Sequence, residues 1–192
     1  MKCSRPIKRP ATVGLAAANS IKMLRLREAT LADALRLQEL SRTTFVETFA
    51  AFNSPEDLQS YLDERLSLEQ IHIELQCPES KFALMASGST LWAYAKINWG
   101  LAQTEDRGLR AVELERLYVL DSAKGQGLGG QLMEWAIDQA RSMNAQELWL
   151  GVWEHNLAAR RFYARYHFSE VGHHVFRLGS DDQTDLILSK PL

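Results

Sequence analysis

Four glycines fall within six positions in the stretch Lys124-Gly125-Gln126-Gly127-Leu128-Gly129-Gly130. Glycine takes positive φ freely and lets a ligand come close to the backbone. The stretch Val112 to Leu120 before this loop reads as a strand, and the stretch from about Gly127 to Met143 as a helix. A helix that begins in such a loop turns its first N–H groups, which have no intrahelical acceptor, toward whatever the loop holds. The positive end of the helix dipole points the same way. A pyrophosphate seated there meets several donors at once, and Lys124 adds a point charge at the entrance. Gly125-x-Gly127-x-x-Gly130 also satisfies the dinucleotide fingerprint, with Glu154 where a ribose-binding acid would be sought. That loop normally follows the first strand of a large sheet. Here too little chain follows Gly130 for further strand–helix–strand units, and Glu154 comes late.

Other residues have types that could carry proton chemistry. Strand alternation puts Glu113 and Glu115 on one face, with Leu117 and Val119 further along it. Either glutamate could take a proton, or could pair with Arg110 or Arg116 at the surface. Tyr163 is a hydroxyl donor or a core aromatic beside Phe162. Asn156 has the position of a helix N-cap. The five histidines show no metal-ligand spacing, and the side chains of His173 and His174 would diverge on a strand. Trp92, Trp99, Trp149 and Trp153 fit a core or a pocket wall; no basic patch interleaves with them, which argues against nucleic acid.

The elements that must position these residues follow from caps and alternation. Leu24 to Arg27 reads as a strand. Thr30, with Asp33 at the capping-box position, starts a helix through Leu31, Leu35, Leu37 and Leu40. Ser54-Pro55-Glu56-Asp57 and Ser67-Leu68-Glu69-Gln70 start two more. Phe82–Ala86 and Leu91–Trp99 form a hairpin across Ser87-Gly88-Ser89. After the glycine helix come a strand at Leu148–Trp153, a helix at Asn156–Tyr166 and strands near Val171–Leu178 and Leu186–Leu188. The order is that of an α+β protein.

The chain has 192 residues, 46% hydrophobic and 24% charged. That fits one domain with a real core. No apolar run reaches the roughly 18 residues of a membrane helix. Two cysteines, Cys3 and Cys77, make no disulfide framework and fit a reducing cytoplasm. Net charge is −2, but residues 1–22 carry five basic residues and no acid, so the remainder is more acidic. Such a body mildly favours cationic ligands. Residues 1–22 read as a disordered or non-native leader, leaving one domain over residues 23–192.

With these residues on the page, the sequence resembles the GNAT superfamily of N-acetyltransferases. Lys124, Gly127 and Gly129 occupy the superfamily's loop pattern, with Lys124 where Arg or Gln is usual. Asn156-x-x-Ala159-x-x-Phe162-Tyr163 resembles its second coenzyme-binding segment, followed by His167-Phe168 in place of Gly-Phe. Phe49 to Tyr61, Trp149 to Glu154 and Gln183-Thr184-Asp185-Leu186-Ile187 resemble the PaiA-type spermidine/spermine acetyltransferases of bacteria. The resemblance implies a mixed α/β fold: a central, mostly antiparallel twisted sheet, splayed at the acetyl-CoA site and flanked by helices. It implies acetyl-CoA as co-substrate, without a metal, held by the backbone at Leu117 and Val119, by Lys124, Gly125, Gln126, Gly127, Leu128, Gly129 and Gly130, and by Asn156.

The chemistry so implied is direct attack of a primary amine on the thioester. An alkyl amine with a pKa of about 10.4 is free base in roughly one molecule in 2,500 at pH 7. A base is therefore needed, and the polyamine branch favours Glu115 over Glu113. Tyr163 would return a proton to the thiolate. The early helices carry Glu47, Glu56, Asp57, Asp63 and Glu64 on the side where the acceptor binds in this superfamily. A polyamine is the expected acceptor. Other amines (an amino acid, an antibiotic, a protein N-terminus) and a non-catalytic coenzyme-binding regulator are the alternatives. The implied partners are a small amine and a second copy in a homodimer, with no nucleic acid and no membrane.

Overall fold

Helix starts are set by the side chains just before them. In the computed structural model, which describes residues 24–178 and 181–192, the Ser54 hydroxyl accepts from Asp57 N at 3.1 Å and opens α2 (Pro55–Arg65). Ser67 does the same for Gln70 N at 3.1 Å and opens α3 (Leu68–Gln76). The Thr30–Asp33 capping box is present, but it opens a single 3₁₀ turn, Leu31–Asp33, which leads into α1 (Ala34–Phe49). The leader read at residues 1–22 lies outside the described residues.

The strands are β1 (Arg25–Glu28), β2 (Ser80–Ser87), β3 (Thr90–Trp99), β4 (Ala111–Val119), β5 (Glu147–Trp153), β6 (Ser169–Leu178) and β7 (Asp181–Pro191). The remaining helices are α4 (Leu128–Ser142) and α5 (Leu157–Arg165). One seven-stranded sheet runs in the order β1-β2-β3-β4-β5-β7-β6. Its pairs are antiparallel except β4 with β5. This is the mixed, mostly antiparallel sheet that the sequence implies. The last strand is longer than Leu186–Leu188 because it lies between β5 and β6 and pairs with both. Its polar residues Thr184, Ser189 and Lys190 hide it from an apolar-run reading.

Two apolar layers close the sheet. Ile97, Leu114, Leu148 and Leu150 pack with Leu132, Met133 and Ala136 of α4 and Tyr163 of α5 on one face. On the other, Leu84 and Tyr94 pack with Leu37 of α1 and Ile71 of α3, while Phe45, Leu58 and Leu62 join α1 to α2. Removal of these side chains from water is the main drive for the layering.

Two irregularities shape the site. β4 pairs with β5 only from Ala111 to Glu113, opposite Glu147 to Trp149, and then departs from it. In the β3–β4 ladder Lys96 faces Arg116 and Ile97 faces Leu114, so Glu115 has no partner: a β-bulge. The extra residue changes the alternation. Glu113 and Glu115 do share a side, since Asn98 Nδ2 donates to both. Leu117 and Val119, expected on that side, instead pack into the core under α4.

The bulge is held by charge. Arg116 donates two hydrogen bonds to Glu74 of α3, each 2.8 Å, and lies 2.9 Å from Glu115. Lys96 lies 2.6 Å from Glu115 and 3.3 Å from Glu74. Glu74, Lys96 and Arg116 are buried. A buried network of this kind is strongly destabilised when one member is lost, because the others are left uncompensated. Arg116→Met should lower the unfolding free energy in urea by about 3–5 kcal/mol. Arg177→Met, in an exposed pair with Asp182, should change it far less. Equal effects would contradict a structural role for the network.

Candidate active site

The glycine loop has the backbone that its composition implies. Gly125 has φ +77° and Gly127 φ +80°, a region L side chains rarely adopt. Gly127 is the N-cap of α4, and the first bond of the helical ladder runs from Gln131 N to Gly127 O at 3.2 Å. The amides of Gly127, Leu128, Gly129 and Gly130 therefore precede the ladder and can donate outward. The Leu128 side chain is buried and anchors the turn in the core. Gly129 lies against Leu117 and Phe162, and a Cβ on Gly130 would stand 3.0 Å from the Tyr166 hydroxyl. Lys124 is exposed, and its ammonium pairs with Asp121 at 2.5 Å. Gln126 donates to Ser122 O at 3.5 Å. The anion-binding capacity of the loop thus lies mainly in its backbone.

Beside the loop, the departure of β4 from β5 exposes backbone. Leu120 N donates to Trp92 O at 3.0 Å. In an antiparallel ladder the bonded residues alternate, so the N–H and C=O groups of Leu117 and Val119 turn away from β3 and into the split. Tyr163 of α5 reaches the same space, packed edge-on against Phe162 and Phe168. Burial pushes its hydroxyl up to about 12, so it stays protonated and able to donate. Asn156 Oδ1 accepts from Ala159 N at 3.1 Å and caps α5. Its amide nitrogen is the group that can donate to a ligand. Leu117, Val119, Asn156 and Tyr163 line one cavity of about 1390 Å³ together with Lys124, Gly125 and Gly127 to Gly130; Gln126 does not line it.

On the opposite side of the sheet, the same cavity is lined by acids. Burial raises the pKa of Glu115, but Arg116 and Lys96 outweigh it and hold the carboxylate down at about 2. It also accepts from Asn98 at 2.6 Å. The carboxylate to which the family resemblance assigned the base role is thus held here as the charged partner of Lys96 and Arg116. Glu113 behaves differently. Burial pushes it up, opposed by bonds from Thr104 and Asn98. Among the acids of the early helices, Glu56, Asp57 and Glu64 line the cavity, Glu47 accepts from Asp121 N at 2.9 Å, and Asp63 pairs with Arg42. Aromatic rings lie among them: Phe45 stacks on Tyr61 at 4.3 Å, and Tyr61 meets Phe176 at 5.8 Å.

Sequence reasoning missed a second cluster. Three consecutive residues of the β3–β4 loop bind three different strands. Gln103 accepts from Trp149 Nε1 at 2.8 Å, Thr104 N donates to Glu113 at 2.9 Å, and Glu105 bonds His174 Nδ1. His174 Nε2 faces Asp185 Oδ2 at 3.9 Å. Burial raises Asp185 to about 6, with His174 opposing. Its Oδ1 is buried and has no hydrogen-bond partner. His174 diverges from exposed His173, as the strand reading implies. A signal was present in the alternation of Gly172, His174 and Phe176 on one face of β6, but nothing in the sequence tied Glu105 to it. Among the described residues no group of three or more His, Cys, Asp or Glu is arranged to hold a metal ion.

Comparison with known proteins gives a consistent result. The acetyltransferase (GNAT) family model matches residues 37–168. An uncharacterized N-acetyltransferase of Lactobacillus delbrueckii subsp. lactis is 36% identical over 172 residues, covering 90% of this chain and 98% of that protein. One of Mycobacterium tuberculosis is 30% identical over 162 residues, covering 84% and 99%. Among solved structures, the PaiA N-acetyltransferase of Thermoplasma acidophilum in complex with coenzyme A superposes with a TM-score of 0.71. It is 22% identical and covers 88% of this chain and 99% of that one, a likeness in fold.

The desolvated Asp185 has a consequence for stability. Burial holds its folded pKa at about 6, above the ordinary aspartate value of about 3.9. The folded state therefore binds the proton more tightly, and stability is lost as pH rises from about 4 through about 6. Asp185→Asn removes that loss. Urea unfolding should show the variant gaining about 2 kcal/mol on the parent between pH 4 and pH 8. A difference that does not change with pH would contradict the buried, unpaired carboxylate.

Proposed function

The chain belongs to the acetyltransferase (GNAT) family and is an acetyl-CoA-dependent N-acetyltransferase; we propose that its acceptor is a primary amine of a polyamine such as spermidine or spermine. The observation that carries this reading is the cavity itself. A backbone cradle for a pyrophosphate opens at one end, and Glu56, Asp57 and Glu64 with the rings of Phe45, Tyr61 and Phe176 line the other. Carboxylates and aromatic faces are the groups that hold an extended alkyl polycation. The coenzyme A bound to the PaiA neighbour supports the first half of the assignment.

In this reading the amides of Gly127 to Gly130 hold the pyrophosphate. The outward N–H and C=O groups of Leu117 and Val119, with the Asn156 amide, hold the pantetheine arm. Acetyl-CoA, when bound, supplies the activated acyl carbon. Tyr163 donates its proton to the departing sulfur, which the raised pKa of its hydroxyl keeps available at neutral pH. Glu115 keeps its negative charge at the split and, paired with Lys96 and Arg116, fixes the bulge that opens it.

Thiol release from acetyl-CoA, measured with a panel of amines, tests the proposal. Turnover on spermidine or spermine, well above that on amino acids, aminoglycosides and peptide N-termini, is expected. Preference for one of the latter would replace the polyamine, and binding of the coenzyme without turnover on any amine would indicate a regulator. Tyr163→Phe should lower kcat by about 10²-fold, in the range of general-acid contributions, and leave coenzyme A affinity nearly unchanged. An unchanged kcat would remove Tyr163 from the proton-donating role.

A further inference from the structure

We propose that His174 takes the proton from the acceptor ammonium, that Asp185 binds that ammonium beside it, and that Glu105 holds the imidazole in position. The inference rests on the reading of this cavity as the site of acetyl transfer to an amine.

Glu105 bonds Nδ1 of His174. A carboxylate on one ring nitrogen fixes the orientation of the ring and directs the proton-accepting lone pair to the other. Here the other nitrogen, Nε2, points at Asp185 Oδ2 across 3.9 Å. That gap is too long for a hydrogen bond, so the two groups are not consumed by each other. Asp185 Oδ1 is buried without any partner, and a buried polar atom left so is costly unless a ligand completes it.

The location fits the split between the strands. A Cβ on Gly151 would stand 3.5 Å from Asp185 Oδ2 and 3.5 Å from His174 Nε2. Gly151 lies on β5 beyond Trp149, where β5 no longer pairs with β4. The imidazole and the carboxylate therefore sit over the part of β5 that borders the opening, and both line the cavity that Tyr163 lines from the other side. His174 from β6 is the titratable group nearest Asp185, with Glu105 from the β3–β4 loop behind it; β5 contributes Gly151 there. Across the cavity, Glu113 and Glu115 already accept from Thr104, Asn98, Lys96 and Arg116.

The protons balance in this arrangement. The ammonium, held on Asp185, gives one proton to His174 Nε2, which passes it to solvent. The freed nitrogen pair forms the C–N bond to the thioester carbon as the C–S bond breaks. The sulfur takes the Tyr163 proton, and the second N–H proton lost as the amide forms restores the phenol.

The test compares the full chain with His174→Asn, Asp185→Asn and Glu105→Gln by thiol release against pH, with spermidine as acceptor and coenzyme A binding by calorimetry. The parent should lose kcat/KM as pH falls, because the group that takes the ammonium's proton must be unprotonated to act. His174→Asn should lower kcat by about 10²-fold or more and abolish that acidic limb, with coenzyme A affinity unchanged. Asp185→Asn should raise the amine KM by about 10-fold or more, the worth of a charge-assisted bond, with a smaller effect on kcat. Glu105→Gln withdraws the negative charge that favours the imidazolium, so it should move the acidic limb to lower pH; it touches only the outer ring nitrogen and keeps the test open should the other variants fold poorly. An unchanged kcat and pH profile in His174→Asn, or an unmoved limb in Glu105→Gln, would overturn the assignment while leaving acetyl transfer standing. A parent that turns over no amine at any pH would overturn the underlying reading as well.

Discussion

The departure of β4 from β5 after Glu113 is the constraint on which the ligand chemistry depends. Two neighbouring strands normally consume each other's backbone donors and acceptors. When they part, those groups must face water or a ligand. Here the outward groups of Leu117 and Val119 are left facing the opening, next to a helix N-terminus whose first amides are also without helical acceptors. The bulge at Glu115 belongs to the same irregularity. It bends β4 and shifts its alternation, and the network of Glu74, Lys96, Glu115 and Arg116 holds it in that state. A surface ion pair could not do this, since exposed pairs contribute little. A buried one can, because each partner is needed to offset the desolvation of the rest.

The two sides of the opening have different chemistry. On the α4 side, the loop offers neutral N–H donors and a helix dipole, suited to an anion. On the side of α1–α3, β6 and β7, the lining is carboxylate, imidazole and aromatic ring, suited to a cation. Groups suited to opposite charges thereby lie at the two ends of one cavity. Asp185 shows what this arrangement costs. It is desolvated, its Oδ1 lacks a partner, and the folded protein bears that loss of stability. Neutralising a buried, unpartnered carboxylate of this kind should raise stability.

Much of this was legible in the sequence, and the part that was not has physical reasons. Ser54, Ser67 and Asn156 announce helices through local capping bonds, and the glycine loop announces backbone conformations that few other residues take. These signals are local, so a sequence carries them directly. Glu115 marks the limit. Its strand position was correct, but the bulge that moves Leu117 and Val119 to the other face depends on Asn98, Lys96 and Glu74, which are distant in the chain. The cluster of Glu105, His174 and Asp185 is harder still. Its members come from a loop and two strands, and the separation of 69 residues between Glu105 and His174 leaves no pattern for periodicity to find.

The central claim is that one ligand spans the split from the glycine loop to the acidic side. A crystal structure with coenzyme A joined through an acetyl linker to spermidine tests it most directly. The account predicts the pyrophosphate on the amides of Gly127 to Gly130, the pantetheine between Leu117 and the free edge of β5, and the nearest amine nitrogen over Asp185 and His174. A pyrophosphate bound away from that loop, or a spermidine chain lying on the α4 side of the sheet, would contradict it.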